Sequence, residues 1–170
     1  KHHSIKADDK LEHYSRIIID QGKKLDSHLE KILNIARHDK NPMLLNKETV
    51  DIIEMVNKTV DIIKLKYPAA SITINNELKH TSIQADAFHF ANIIYNFLDN
   101  AVKYCNLEPE IKIDLIETDN VIAMLFKDNG IGISARSLKH IFEKFYRVPE
   151  SKQLAVNGFG LGLYYVKKIC

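Results

Sequence analysis

No tryptophan, only two cysteines and only four prolines occur among the 170 residues. Each scarcity excludes something. Cys105 and Cys170 make no disulfide framework, and two lone thiols suit a reducing compartment, so the expected location is the cytoplasm. No uninterrupted apolar run nears the roughly 18–20 residues that cross a bilayer. The opening KHHSIKADDK also lacks the apolar segment of a signal peptide, and no direct membrane contact is expected from this sequence. Charge of one sign is lacking too: 24 basic against 22 acidic side chains leave a formal +2. That balance is too small to draw nucleic acid by itself, and any anion site must be local. What is present, 45% hydrophobic and 27% charged residues, is the composition of a globular protein long enough for a real core.

The few prolines act as punctuation. From Leu11 to His38 there is none, and Tyr14, Ile18, Leu25, Ile32 and Ile35 recur at helical spacing with Leu29, Leu33 and Ala36 beside them. The period predicts a long amphipathic helix that needs a partner from a bundle. Asn41-Pro42 breaks it. A second amphipathic helix is predicted over VDIIEMVNKTVDIIKLKYP, with Asn46 or Thr49 as its N-cap and Pro68 as its end. SITINNEL alternates like a half-buried strand, and EIKIDLIETDNVIAMLFKDNG reads as two strands joined at Asp119-Asn120. The residues themselves thus predict an α+β domain of antiparallel strands with helices on one face, after a long helix and a linker.

Between these strands, FHFANIIYNFLDNAVKYC sets polar residues into an apolar helix. At about 100° per residue, Asn96, Asn100 and Lys103 share one sector, while Phe90, Ile93, Ile94, Phe97, Leu98, Ala101 and Val102 fill the rest. A buried amide or ammonium without a partner costs on the order of 1–3 kcal/mol, so something polar should face the stripe. Capping of a neighbouring loop would satisfy it as well as a ligand would. Downstream, DNGIGI brings Asp128 with Gly130 and Gly132, which alone reads as an ordinary Asx-Gly turn. NGFGLGL places Gly158, Gly160 and Gly162 before a helix, an arrangement suited to phosphate or simply to a tight helix entry. Taken together the three change the balance. An amide oxygen can ligate Mg²⁺, a lysine can meet phosphate, and a carboxylate can accept from an adenine amino group.

In order and spacing, NFLDNAVKY, DNGIGI, FEKFYR and GFGLGL resemble the asparagine box, first glycine box, phenylalanine box and second glycine box of sensor histidine kinases. The stretch HYSRIIIDQGKKLDSHLEKILNIARHDKN is similar to the second helix of their dimerisation and phosphotransfer domain. The resemblance covers roughly Leu11 to Cys170. It implies a two-layer α/β sandwich of the gyrase, heat-shock chaperone and histidine kinase ATP-binding type, a mixed sheet under helices. The implied domains are 1–41, a partial dimerisation helix, and 42–170, an ATP-binding catalytic domain. It further implies Mg²⁺ on Asn100 with Asn96 in support, phosphate oxygens on Lys103, and base or sugar against Tyr104. Asp128 would take the adenine amino group, with Gly130 and Gly132 allowing close approach. Residues Ser134 to Asn157 would form a lid in which Phe142 and Phe145 anchor the loop and Arg147 reaches the terminal phosphate. Gly158, Gly160 and Gly162, with Leu161, would close over the triphosphate.

The same resemblance implies ATP as cosubstrate, a homodimer through the helical bundle, a response-regulator partner, and a parent protein anchored in the inner membrane. Hydrolytic relatives commonly carry a glutamate one turn before the metal-binding asparagine; here that position is Asn96, and an amide is no general base. The expected activity is therefore transfer of the γ-phosphoryl group to a histidine. Alternatives are a degenerate dimerisation or nucleotide-binding module without kinase activity, and a serine kinase or ATPase of the same fold. His38 in HDKNP lacks the proline spacing of an acceptor motif. The acceptor is expected upstream of Lys1 and two final strands beyond Cys170, so this chain alone should not autophosphorylate.

Overall fold

The computed structural model describes residue 15 and residues 44–119, 121–148 and 158–170. By internal contacts the chain forms two units, Lys1–Met43 and Leu44–Cys170. Of the first, only Ser15 is described, in helical conformation; the long helix expected over 11–38, with His28 and His38, lies outside the described residues. The second unit runs β1 (Glu48–Asp51), α1 (Ile52–Lys66), β2 (Ser71–Glu77), β3 (Ser82–Ala85), α2 (Ala87–Lys103), β4 (Glu110–Thr118), β5 (Val121–Asp128), α3 (Ala135–Leu138) and α4 (Gly162–Ile169).

The two long helices start on aspartates. Asp51 accepts the Glu54 amide at 2.9 Å and the Thr81 hydroxyl at 2.6 Å, and Asp86 accepts the His89 amide at 3.0 Å. This corrects the expected cap of α1. Neither Asn46 nor Thr49 caps it, because residues 48–51 form a strand that pairs antiparallel with β3, Glu48 opposite Ala85 and Asp51 opposite Ser82. Thr49 and Val50 are β-branched and suit that pairing, but the partner strand β3 carries too short a pattern to announce it.

The three-stranded sheet has the order β2-β4-β5. The hairpin β4–β5 is antiparallel as its short connection at Asp119-Asn120 predicts, with Asp119 at positive φ (42°) in the turn. The pair β2–β4 is parallel, Ser71 opposite Glu110 and Glu77 opposite Ile116. The antiparallel strands read from the residues alone are thereby corrected to a mixed sheet, which is what the resemblance implied. The physical reason is the connection: β3 and α2 intervene between β2 and β4 and return the chain to the same end, as a parallel neighbour requires.

The core lies between this sheet and the two long helices. Val56 and Ile63 of α1, Ile94 and Leu98 of α2, and Ile113 and Leu115 of β4 are fully buried. Their spacings match their elements: i and i+7 on α1, i and i+4 on α2, alternate residues on the strand. Phe97 of α2 stacks on Phe126 of β5, ring centroids 5.1 Å apart. The other face of the sheet carries Asp114, which accepts from Asn75 at 2.9 Å and pairs with Lys112 and Lys127. Packed this way, α2 is fixed along its length, and its polar stripe is held at the edge where the glycine segments return.

Candidate functional site

The site builds outward from α2. Apolar residues on most of its circumference lock the rotation of the helix, so Asn96, Asn100 and Lys103 cannot turn away from the stripe. All three are half-buried. Asn96 donates through Nδ2 to the Asn92 carbonyl at 2.8 Å. Its Oδ1 faces Gly162, where a Cβ would come within 2.8 Å of it. The middle of α2 thus meets the start of α4 through a contact that only glycine admits without displacement. The N-cap residue of α4 is Leu161, whose side chain makes no capping hydrogen bond.

The C-terminal end of α2 meets the first glycine segment. Tyr104, the C-cap, accepts the Ile131 amide at 2.9 Å. Gly130 donates its amide to Asp128 Oδ1 at 2.8 Å. A Cβ at Gly130 would lie 2.6 Å from that oxygen and 2.8 Å from the Tyr104 carbonyl. Gly130 therefore sits against both Asp128 and Tyr104. Asp128 itself is exposed at the end of β5. Gly132 has φ +68 with open space where a Cβ would stand.

The phenylalanine segment contacts the second glycine segment. Phe145 (φ 65) donates its amide to the Gly160 carbonyl at 3.1 Å. Gly160 has φ +66, and a Cβ there would come within 2.5 Å of the Tyr146 carbonyl. Lys144 lies 5.8 Å from the Tyr164 ring centroid on α4. Phe142 and Phe145 are exposed, and so is Arg147. Gly158 is exposed with open space around it, and Leu161 is buried. Residues 149–157 of the expected lid lie outside the described residues.

Two groups on the stripe differ in a way the sequence did not reveal. The Asn100 side-chain amide makes no hydrogen bond to a described residue. Lys103 is engaged: its ammonium pairs with Asp99, which also accepts from Lys66 at 2.9 Å and from the Tyr67 hydroxyl at 3.2 Å. Burial pushes the Asp99 carboxyl up, but the bonds from Lys103 and Lys66 outweigh it and hold the group below its ordinary value. The i, i+4 spacing of Asp99 and Lys103 was visible in the sequence; Lys66 and Tyr67, more than 30 positions away, left no such signal. A second missed link joins α2 to α4: His89 Nδ1 and the Tyr165 hydroxyl share a 2.5 Å hydrogen bond. Burial, with the Asp86 charge, pushes the Tyr165 hydroxyl up to about 12, which keeps it protonated.

Among the described residues no three His, Cys, Asp or Glu side chains gather to hold a metal. The donor on offer is the Asn100 amide oxygen, a hard neutral ligand that suits Mg²⁺ when phosphates and water supply the rest of its shell.

The model of the family of histidine kinase-, DNA gyrase B- and HSP90-like ATPases matches residues 85–170. Sensor protein RprX of Bacteroides fragilis is 37% identical, over 96% of this chain and 32% of that protein. Sensor protein SrrB of Staphylococcus aureus is 29% identical, over 95% of this chain and 28% of that protein. The chain spans about a third of the length of these curated relatives. Full-length ShkA, solved in complex with AMPPNP, shares the fold with a TM-score of 0.72 at 24% identity, over 88% of this chain and 31% of that one. Among the described residues no helix is long and apolar enough to cross a membrane.

Proposed function

The chain belongs to the family of histidine kinase-, DNA gyrase B- and HSP90-like ATPases, with the ATP-binding domain of the sensor histidine kinase type, and on that premise we propose that it transfers the γ-phosphoryl group of ATP to a histidine. The acceptor would lie on a dimerisation domain of the same protein, whose second helix falls within residues 1–41, with 42–170 as the catalytic domain. The phosphoryl group would pass on to an aspartate of a response regulator, and the protein would act as a homodimer anchored in the inner membrane with this part in the cytoplasm.

One observation carries transfer over hydrolysis. The position one turn before Asn100 is Asn96, an amide already committed to the Asn92 carbonyl and set against Gly162. The nearest carboxylate on α2, Asp99, is occupied by two lysines and a phenol. Neither of these α2 groups is free to take a proton from water, which favours transfer over hydrolysis.

Within this reading Asn100 holds Mg²⁺, which would neutralise charge on the triphosphate, and Asn96 fixes the helix turn behind it. Lys103 and Arg147 meet phosphate oxygens. Asp128 keeps one carboxylate oxygen on the Gly130 amide and has the other for the adenine amino group. Tyr104 lies against the base or sugar, and Gly130 and Gly132 let the base approach the backbone. Gly158, Gly160, Leu161 and Gly162 close over the phosphates at the start of α4.

The test is incubation of the full-length protein with γ-labelled ATP and Mg²⁺. Acid-labile, base-stable label on the protein, abolished by Asn100→Ala, is the expected result. Acid-stable label, or release of inorganic phosphate without labelling of the protein, would overturn the proposal.

A further inference from the structure

Asp99 is the point where two helices share a charge. It is 8% exposed, and its two oxygens are divided. Oδ1 takes Lys66 Nζ at 2.9 Å and the Tyr67 hydroxyl at 3.2 Å, while Oδ2 takes Lys103. Lys66 closes the last turn of α1. Its ammonium also donates to the Tyr95 hydroxyl at 2.9 Å and lies 5.0 Å from the Tyr67 ring centroid. Two lysines against one carboxylate leave one positive charge in excess. Lys103 sits at the edge of the polar stripe, its side chain 28% exposed, within the sector it shares with Asn96 and Asn100.

A lysine cannot serve a buried carboxylate and a phosphate equally well. If Asp99 had Lys103 as its sole cation, moving that ammonium to a nucleotide would strand a buried negative charge, a heavily penalised state. Lys66 removes the penalty, because it and Tyr67 keep Oδ1 satisfied whichever way Lys103 points. We infer that Lys66, on α1 and outside the nucleotide site, is a positioning residue: by holding Asp99 it allows Lys103 to exchange from Asp99 Oδ2 to the nucleotide phosphates. The inference rests on the nucleotide reading of Lys103. The bonds around Lys66 agree with it. Burial lowers the Lys66 ammonium, but the bonds from Tyr95 and Asp99 prevail and hold the group above its ordinary value, fully charged at neutral pH.

The test compares ATP with adenosine, which shares the base and sugar but has no phosphate, by titration of the full chain with Mg²⁺ present. Lys66→Met is expected to weaken ATP by about tenfold, the worth of one charge-assisted bond, and to leave adenosine unchanged. Lys66→Arg should bind ATP as the original does. The double variant Lys66→Met/Asp99→Asn should recover most of the loss, because a neutral amide at position 99 no longer retains Lys103. Lys66→Gln, which keeps a hydrogen-bond donor near Asp99 without the charge, carries the same test if Lys66→Met fails to fold, and should weaken ATP in the same direction. Unchanged ATP affinity in the folded Lys66 variants would overturn the inference, as would equal loss of ATP and adenosine with no recovery in the double variant. An original chain that binds adenosine but shows no gain from the triphosphate would instead strike at the nucleotide reading of Lys103 itself.

Discussion

The helix–sheet interior and the rim that carries the glycine segments are built on opposite terms. In the interior, Val56, Ile94, Leu98, Ile113 and Leu115 have no exposure at all, and every neighbour on the helix or strand repeats at the spacing of its element. At the rim, Ile131, Ile133, Phe142, Phe145 and Phe159 are between 38% and 57% exposed. That region is held by a few backbone bonds, such as Ile131 to Tyr104 and Phe145 to Gly160. Interior packing fixes one arrangement, while sparse burial leaves segments at the low end of local stability, where rearrangement around a ligand costs least. The polar stripe of α2 stands on the boundary: its backbone belongs to the interior and its side chains to the rim.

The largest break in that contrast should come from Leu98→Ala. Removing a side chain with no exposure is expected to cost about 2–5 kcal/mol in denaturant unfolding; a loss below about 1 kcal/mol would deny the interior its close packing. Gly160→Ala comes next. Its φ of +66 and the 2.5 Å approach to the Tyr146 carbonyl leave only backbone to give way, at about 1–3 kcal/mol. The damage should stay at the rim, read as faster amide exchange at Phe145 and weaker ATP binding, with a smaller change in global unfolding than Leu98→Ala.

A pH titration sharpens the boundary itself. Asp99 has a lower pKa folded than unfolded, so its contribution to stability is full above the ordinary carboxylate value of about 3.9. It drains away as pH falls through the folded value. Asp99→Asn should remove part of the acid-induced loss of stability, while Glu117, held down to about 2 chiefly by its bond from His80, and the likewise lowered Asp51, Asp86 and Asp114 keep the rest. An unchanged acid limb in the variant would mean Asp99 is not coupled to its lysines in solution. The smallest effect is expected at Gly158→Ala. No atom of a described residue lies within 4 Å of the added Cβ, so stability should change by less than about 0.5 kcal/mol, in contrast to Gly160 two residues on.

Much of this was legible before any coordinates. The burial of Ile94 and Leu98, the strand alternation of Ile111, Ile113 and Leu115, and the hairpin at Asp119 all follow from side-chain period, a local property. Glycine placement was legible as well: at Gly130, Gly160 and Gly162 a Cβ would collide with neighbouring atoms. The strand over 48–51 was not legible, since its four residues carry a helix-compatible pattern and owe their conformation to pairing with β3. The parallel match of β2 to β4 was hidden for a similar reason. Alternation reports which face of a strand is buried but nothing about the direction of its neighbour.

By itself the sequence determined which faces are apolar, where the described long helices begin and end to within a turn, and that one amide-and-lysine stripe on an apolar helix needs something polar to face it. These depend on residue type and spacing along a few turns of chain. Only the tertiary structure decided that Lys66 on α1 holds Asp99 from 33 positions away, and that His89 ties α2 to Tyr165 of α4. Such partnerships between distant side chains are chosen by how packed helices happen to juxtapose them, and no periodicity in the chain encodes that meeting.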